Sequence, residues 1–460
     1  MKRILALFFA ALFLFSGCAA VPSQSEATFD ASPTAAPTPP VTAEPTPSPS
    51  PTPVPTAEPV LHAETASSGV SPYILPGQDD TTVRVCWSGD YCSEGMCVLY
   101  GPAGADDALP AEPLIAEATS SWMDILCYSE DKMQYAAELT VESGTRYAYA
   151  VVKNGEAAGS VYHFRTGSAD RLCTVAVSDT HLFSDKPHTY HPALLEAALE
   201  SALRTETDEG KPLDMILHAG DILDYPEYSL DMLFDGVPML RSFVLAPVSG
   251  NHDSLYAVRH RFPMAGQDER NGDYWFVRSG VLFIGVQIGD RYYPNHTEFL
   301  RSAAENAPEH SWTVVLIHYA VRSNGVHARD AAVVGFRTAL EPVMEEIDVD
   351  LVISGHDHEY NRTALLGGDE PDTDASDILY KQPGERLYIT LPTGTGLKYY
   401  EEGCSVDFPF TAEGLEHEVG YVFFDFTPEE IALSARSADT GEEIDAVTLR
   451  RGALSDTEEE

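Results

Sequence analysis

The stretch Gly355–Thr363 reads GHDHEYNRT and follows the apolar run DLVISG. It sets His356 and His358 two positions apart at the end of a predicted strand. Side chains of a strand alternate faces, so these two histidines share one face. An ordinary polar sheet edge would carry the same pattern. A metal site would too, because neutral imidazole is the commonest metal ligand. That second reading requires partners elsewhere in the chain.

Such partners follow other apolar runs. LCTVAVS is almost continuously apolar, which suits a strand buried on both faces, and Asp179 and His181 come just after it. LDMILHAG leads to Asp221, FVLAPVSG to Asn251 and His252, and SWTVVLI to His318. YWFVRSGVLFIGVQIGD reads as a strand pair. PALLEAALESALRTE, TEFLRSAAENA and GFRTALEPVMEEIDVD, between the runs, have helical periodicity. Alternating strands and helices predict an α/β domain. In open α/β sheets, ligands gather at the carboxyl ends of the strands, and here Asp, Asn and His recur at those ends.

The region ahead of this domain reads as all-β. TTVRVCW, MCVLYG, MQYAAELTV, RYAYAVV and SVYHFRTG are short alternating runs separated by Gly, Ser, Asp and Asn. Its pattern resembles fibronectin type III-like sandwiches, with Trp87, Tyr147 and Tyr149 as expected core and face residues. Six cysteines follow Cys18, four of them within Cys86–Cys127 (Cys86, Cys92, Cys97 and Cys127), and one or two bridges are expected there.

The motifs DxH, GD, GNHD, a lone His and GHxH, in this order, resemble the calcineurin-like metallophosphoesterase signature. With the β-rich region ahead of them, and with GHDHEYNR itself, they are most similar to the purple acid phosphatase-like branch over most of Val70–Arg450. The resemblance implies a four-layer α/β/β/α sandwich preceded by the fibronectin type III-like one. It implies two metal ions, divalent or mixed-valence, with Fe, Mn and Zn all open. Asp179, His181 and His358 would hold one, Asn251, His318 and His356 the other, and Asp221 would bridge both. Asp221 and His252 would be the catalytic residues, His252 facing the leaving-group oxygen. Such a pair can clamp the attacking and leaving oxygens of an in-line displacement by hydroxide. One departure stands out. Purple acid phosphatases carry a tyrosine three residues after the bridging aspartate; here that position is Asp224, with Tyr225 one step later. A dinuclear site without the purple colour is therefore expected.

Weaker candidates surround these. Arg322, His327 and Tyr360 are expected near substrate, and His188 and His191 could line the cleft or cap the next helix. PTGTGLKYY, Pro392–Tyr400, is Gly-rich, but no helix clearly follows it, so it is not read as a phosphate cradle.

The 28 basic and 72 acidic residues give a formal net charge of -44, which argues against a nucleic-acid partner. Residues 1–17 combine the basic start MKR with an apolar run too short to span a membrane comfortably. SGC at Cys18 resembles a bacterial lipobox, which implies a lipidated Cys18 and an extracytoplasmic, membrane-anchored protein, or a secreted one if the lipobox is not used. The expected organisation continues with a Pro/Thr/Ser-rich stalk at 18–66, the β sandwich at 67–168, the catalytic domain at 169–451 and an acidic tail at 452–460. The expected activity is acid-phosphatase-like hydrolysis of small phosphomonoesters, with a phosphodiesterase or nucleotidase as runner-up. A non-catalytic binding protein is the rival from another class, weakened by the retention of all seven ligand positions and His252.

Overall fold

The computed structural model describes residues 70–452, apart from 90–95, 105, 124–131, 154–155, 185–188, 225–229, 368–375, 401–402, 404–405 and 407–408. The expected signal segment, Cys18, the expected stalk, nearly all of the expected acidic tail, His188, Tyr225, Cys92, Cys127 and Cys404 lie outside the described residues. Five α-helices are described: α1 (Pro192–Asp208), α2 (Asp231–Gly236), α3 (Leu255–Arg261), α4 (Tyr293–Asn306) and α5 (Ala331–Glu346).

Two sheets carry the α/β half, called the catalytic half from its expected role. The second runs in the order Tyr274–Arg278, Val281–Val286, Trp312–Ile317, Leu351–Ser354, Leu387–Thr390, Tyr360–Thr363, Phe410–Gly414. Its four middle strands, from Val281–Val286 to Leu387–Thr390, pair in parallel. They are buried along their whole length, which is why they read as unbroken apolar runs. The alternation of faces persists beneath that uniform burial. Phe283, Val314, Leu316, Leu351 and Ile353 face the inter-sheet core, while Leu282, Ile284, Val315, Ile317 and Val352 pack on α4 and α5 through Phe299, Leu300, Phe336 and Leu340.

The first sheet places Leu172–Val177 between Met215–His218, which is parallel to it, and Gly420–Phe426, which is antiparallel. Val244–Pro247 extends it in parallel. Helix α1 covers this sheet with Leu195, Ala198, Leu199 and Ala202. The layers therefore run helix, sheet, sheet, helix, as expected.

The N-terminal strands form an all-β region whose core includes the fully buried Trp87, stacked on Tyr135, and Tyr149. It is continuous with the catalytic half. Strand Tyr73–Pro76 pairs in parallel with Val244–Pro247 at Ile74 and Val244, and antiparallel with Thr82–Gly89. Side chains reinforce the join. Tyr73 stacks on Phe234 at 3.7 Å between ring centres and donates its hydroxyl to the Arg261 carbonyl. Tyr149 donates to the Arg241 carbonyl at 2.7 Å.

The expectation of disulfides within Cys86–Cys127 is corrected in part. Cys86, Cys97 and Cys173 are free thiols. Cys86 points into the core from a central strand, where burial pushes its thiol up to about 12.

Because one sheet crosses from the β region into the catalytic half, the two should unfold together. Tyr73→Ala is expected to cost about 3 kcal/mol, the usual scale for truncating a buried aromatic ring, and to lower one shared thermal transition. Calorimetry showing two separate transitions, with only the first shifted, would contradict this coupling.

Candidate metal centre

Each motif residue sits just past the carboxyl end of a buried parallel strand. The first sheet supplies Asp179, His181, Asp221, Asn251 and His252; the second supplies His318, His356 and His358. The backbone at these ends is bent into an uncommon form. Asp179, His181, Asp221, His356 and His358 have φ of 51°, 41°, 51°, 78° and 61°. Non-glycine residues held there each cost on the order of 1–3 kcal/mol, and such strain clusters at functional sites. Two glycines of the motifs are explained by close approach. A Cβ on Gly250 would lie 1.9 Å from Asp221 Oδ1, and one on Gly355 would lie 1.9 Å from Ser178 Oγ.

The ligand-type atoms converge. Asp179, His181 and His358 form one group within 4.8 Å, and Asp221, His318 and His356 form another. Asp221 also groups with His181 and His252, so its carboxylate stands between the two. Asn251 Oδ1 lies 3.2 Å from His318 Nε2. All seven predicted ligand positions are thus brought together, with His252 beside them, 30% exposed.

The imidazoles are oriented from behind. Carbonyls accept from His318 Nδ1 (Ala219, 2.8 Å) and from His358 Nδ1 (Lys398, 2.8 Å). His181 Nδ1 meets Asp224 Oδ1 at 3.0 Å. A carbonyl can only accept, so the rings of His318 and His358 carry Nδ1–H and turn Nε2 inward, as does that of His181 above the Asp224 carboxylate. Nε2 of His181 and Nε2 of His358 then face each other at 3.2 Å. Asp179 Oδ1 is buried 3.2 Å from His358 Nε2 and finds no hydrogen-bond donor. Nitrogens and carboxylates this close repel unless a proton or a metal cation lies among them.

The charges point the same way. Burial opposes ionisation of Asp179 and Asp221, yet His358 beside the first and His318 beside the second hold both well below the usual carboxylate range. Burial also opposes charge on His318, but Asp221 outweighs it and pushes the imidazole up to about 9. Burial and the neighbouring His318 and His327 push His356 down to about 2. A proton on His318 thus serves as counter-charge, a task that metal cations would take over while freeing its Nε2. Mixed carboxylate, amide and imidazole donors fit such a site and do not choose sharply among Fe, Mn and Zn.

Some neighbours escaped the sequence reading. Asp224 Oδ1 lies 3.0 Å from His181 Nδ1 and 3.3 Å from His252 Nδ1, so one carboxylate supports both rings. Asp253, the last letter of GNHD, accepts from the amides of Gly250, Ile222 and Leu223 at 2.9, 3.1 and 3.0 Å. It ties the loop of Asp221 to the loop of Asn251. Lys398 and Tyr400, from the Gly-rich PTGTGLKYY, also reach the site.

The weaker candidates divide. The His327 ring lies 4.4 Å from that of His356, so it belongs to the site margin. Arg322 instead pairs with Glu341 of α5 at 2.7 Å and lines a separate cleft with Arg337 and Tyr388. Tyr360 is buried and donates to Asp445 at 2.6 Å, an acceptor it shares with Arg362. The polar ends of Arg322 and Tyr360, both expected near substrate, thus already have fixed protein partners. His191 stands at the N-cap position of α1, away from these groups.

Residues 174–360 match the family described as calcineurin-like phosphoesterase, and the chain contains a domain of that family. Its fold is similar to that of a purple acid phosphatase. A purple acid phosphatase, PPD1 from yellow lupin (Lupinus luteus) seeds, is similar at TM-score 0.67 and 15% identity, covering 83% of this chain and 74% of that one. PhoD is similar at TM-score 0.51 and 12% identity, over 83% of this chain and 90% of that one. At such identities the likeness is one of fold. No curated protein matches the chain. Family and site together support a metal-dependent phosphoester hydrolase.

Asp224 supports two rings at once, so Asp224→Ala should weaken metal binding by about 10–100-fold, the usual effect of removing an outer-shell partner. Competition with a chelator of known affinity measures this; unchanged affinity would remove Asp224 from the site's support.

Proposed function

We propose that this protein is a dinuclear metal-dependent phosphatase acting on small phosphomonoesters. The observation that carries the proposal is the convergence of two ligand groups on the shared carboxylate of Asp221. Asp179, His181 and His358 would hold one ion, Asn251, His318 and His356 the other, with Asp221 between. When bound, the ions supply Lewis acidity and a nucleophile at neutral pH.

The chain's own groups do the rest. Asp179 and Asp221 set the negative charge of the cradle and leave a net positive site once two divalent ions enter. Outlying surface charge is largely screened beyond about 8 Å at physiological salt, so the overall acidity of the chain does not keep an anionic ester out. His252 is the proton donor to the leaving oxygen, or a charge stabiliser there. Its Nδ1 lies 3.1 Å from the Asp224 carbonyl, which leaves Nε2 turned away from that anchor. Its partial exposure suits a group that must meet leaving groups of varied size.

The test is phosphate release from p-nitrophenyl phosphate and from its bis-ester, after chelation and separate reloading with Mn, Fe or Zn. Turnover of the monoester restored by metal is the expected result. Preference for the bis-ester would make the protein a phosphodiesterase, and two bound ions with no turnover of either would favour a binding protein. In the active form, His252→Ala should keep its metal and lose turnover about 10²–10⁴-fold, the range for general acid–base groups. Unchanged turnover would remove His252 from its role.

We further infer that the protein works outside the cytoplasm, anchored through lipidated Cys18 on its Pro-rich stalk. The basic start, the short apolar run and SGC support this. Cys18→Ala should move the protein from the membrane fraction to the soluble one; retention on the membrane would contradict the anchor.

A further inference from the structure

A lysine stands on the open side of the site. Lys398 holds its Nζ 3.2 Å from His252 Nε2. Its position is built in from several directions. The Lys398 carbonyl accepts from His358 Nδ1 at 2.8 Å. Its Nζ lies 5.2 Å from the centre of the Tyr400 ring, and that ring lies 4.5 Å from His358 and 4.7 Å from His327. The loop that carries it is pinned to the first motif. Gly394 N donates to the Ser178 carbonyl at 2.8 Å, Thr393 Oγ1 to that of Asp179 at 3.0 Å, and Thr395 Oγ1 to that of Thr180 at 2.7 Å.

Lys398 has no carboxylate within ion-pair distance among the described residues, although the chain carries 72 acidic side chains. The nearby carboxylate of Asp224 is engaged with His181 and His252 instead. The ammonium is thus held at the very nitrogen assigned to the leaving oxygen. An oxygen entering between Nζ and Nε2 would meet both groups.

We propose that Lys398 contacts the leaving group: its ammonium neutralises the charge that develops on the departing ester oxygen. The inference rests on the phosphatase reading above. In the step, the oxygen of a hydroxide, formed from water by loss of a proton to solvent, bonds to phosphorus and the phosphorus–ester oxygen bond breaks. The electron pair of that bond goes to the ester oxygen, which leaves with a proton from protonated His252; His252 regains a proton from solvent afterwards. Lys398 remains an ammonium throughout and offsets the charge before the proton has fully moved. Its contribution therefore grows with the basicity of the leaving group. Alkyl phosphates, whose alkoxides are strongly basic, need it most; p-nitrophenyl phosphate needs it least.

The experiment compares the metal-loaded parent with Lys398→Met and Lys398→Arg on a series of aryl and alkyl phosphates of rising leaving-group pKa. Metal content and thermal midpoint are measured on each protein first. For Lys398→Met we expect unchanged metal content, a few-fold loss on p-nitrophenyl phosphate and about 10²-fold on alkyl phosphates, the scale for losing one preorganised charge-stabilising group. The plot of log kcat/KM against leaving-group pKa should steepen, and Lys398→Arg should restore most of the slope. A uniform loss across the series, or a loss that follows metal content, would make Lys398 a mere support for His358 and overturn the proposal. A parent that hydrolyses no ester with any metal would overturn the phosphatase reading itself, and would do so before any variant is compared.

Discussion

Two carboxylates, Asp179 and Asp221, are buried among imidazoles whose Nε2 atoms face inward. Buried charge of one sign is costly unless it is paired or coordinates a cation. Here the pairing within the protein is incomplete: Asp179 Oδ1 has no donor, and two Nε2 atoms meet at 3.2 Å. The arrangement is consistent only around positive charge, and the rest of the architecture can be read as what holds it in place. The two sheets bring their carboxyl ends to one seam. The Ala219 and Lys398 carbonyls hold two of the rings in one tautomer, and Asp224 supports a third.

Holding such a site has a local cost that the surrounding packing must offset. Five site residues adopt left-handed backbone angles. Each is anchored at a strand whose side chains are buried on both faces, so the strain is borne by rigid elements. Asp253 shows the same logic at a smaller scale. It crosslinks two loops through three backbone amides, and burial with Asp221 nearby raises its own carboxyl to about 6. A loop tied this way cannot move Asp221 without also moving Asn251.

Much of this was legible in the sequence because it depends on periodicity and on strand ends. Buried parallel strands announce themselves as apolar runs, and polar residues just after them sit at the carboxyl edge wherever the strands lie in the sheet. What was not legible depends on approach between segments far apart in sequence. YILP carries no sign that it will pair with VLAP, about 170 residues on. Arg322 was drawn to the site by nearness to His318 in the chain, but a carboxylate on α5 takes its guanidinium the other way. PTGTGLKYY was set aside for want of a following helix. Its role comes through a lysine side chain and three loop hydrogen bonds, which leave no periodic trace.

Asp224 joins the legible and the hidden parts. The sequence marked it as a departure, an aspartate where purple acid phosphatases carry tyrosine. The structure gives the replacement a distinct place. A tyrosine would bring a phenolate to the metal, whereas Asp224 stays one shell out and reaches His181 and His252 together. On the proposed ligand set, His181, retained in DTH, would take the vacated position, and Asp224 supports its ring at 3.0 Å. Under that ligand set the two differences are one exchange in physical terms: a ligand from the second motif would give way to one from the first, with the second motif orienting it. His252 is linked to the same carboxylate, so under the proposed function a change in support at His181 would also be felt at the leaving-group side. Under the proposed function, metal binding and leaving-group activation would share a residue that a tyrosine ligand would have kept to the metal alone.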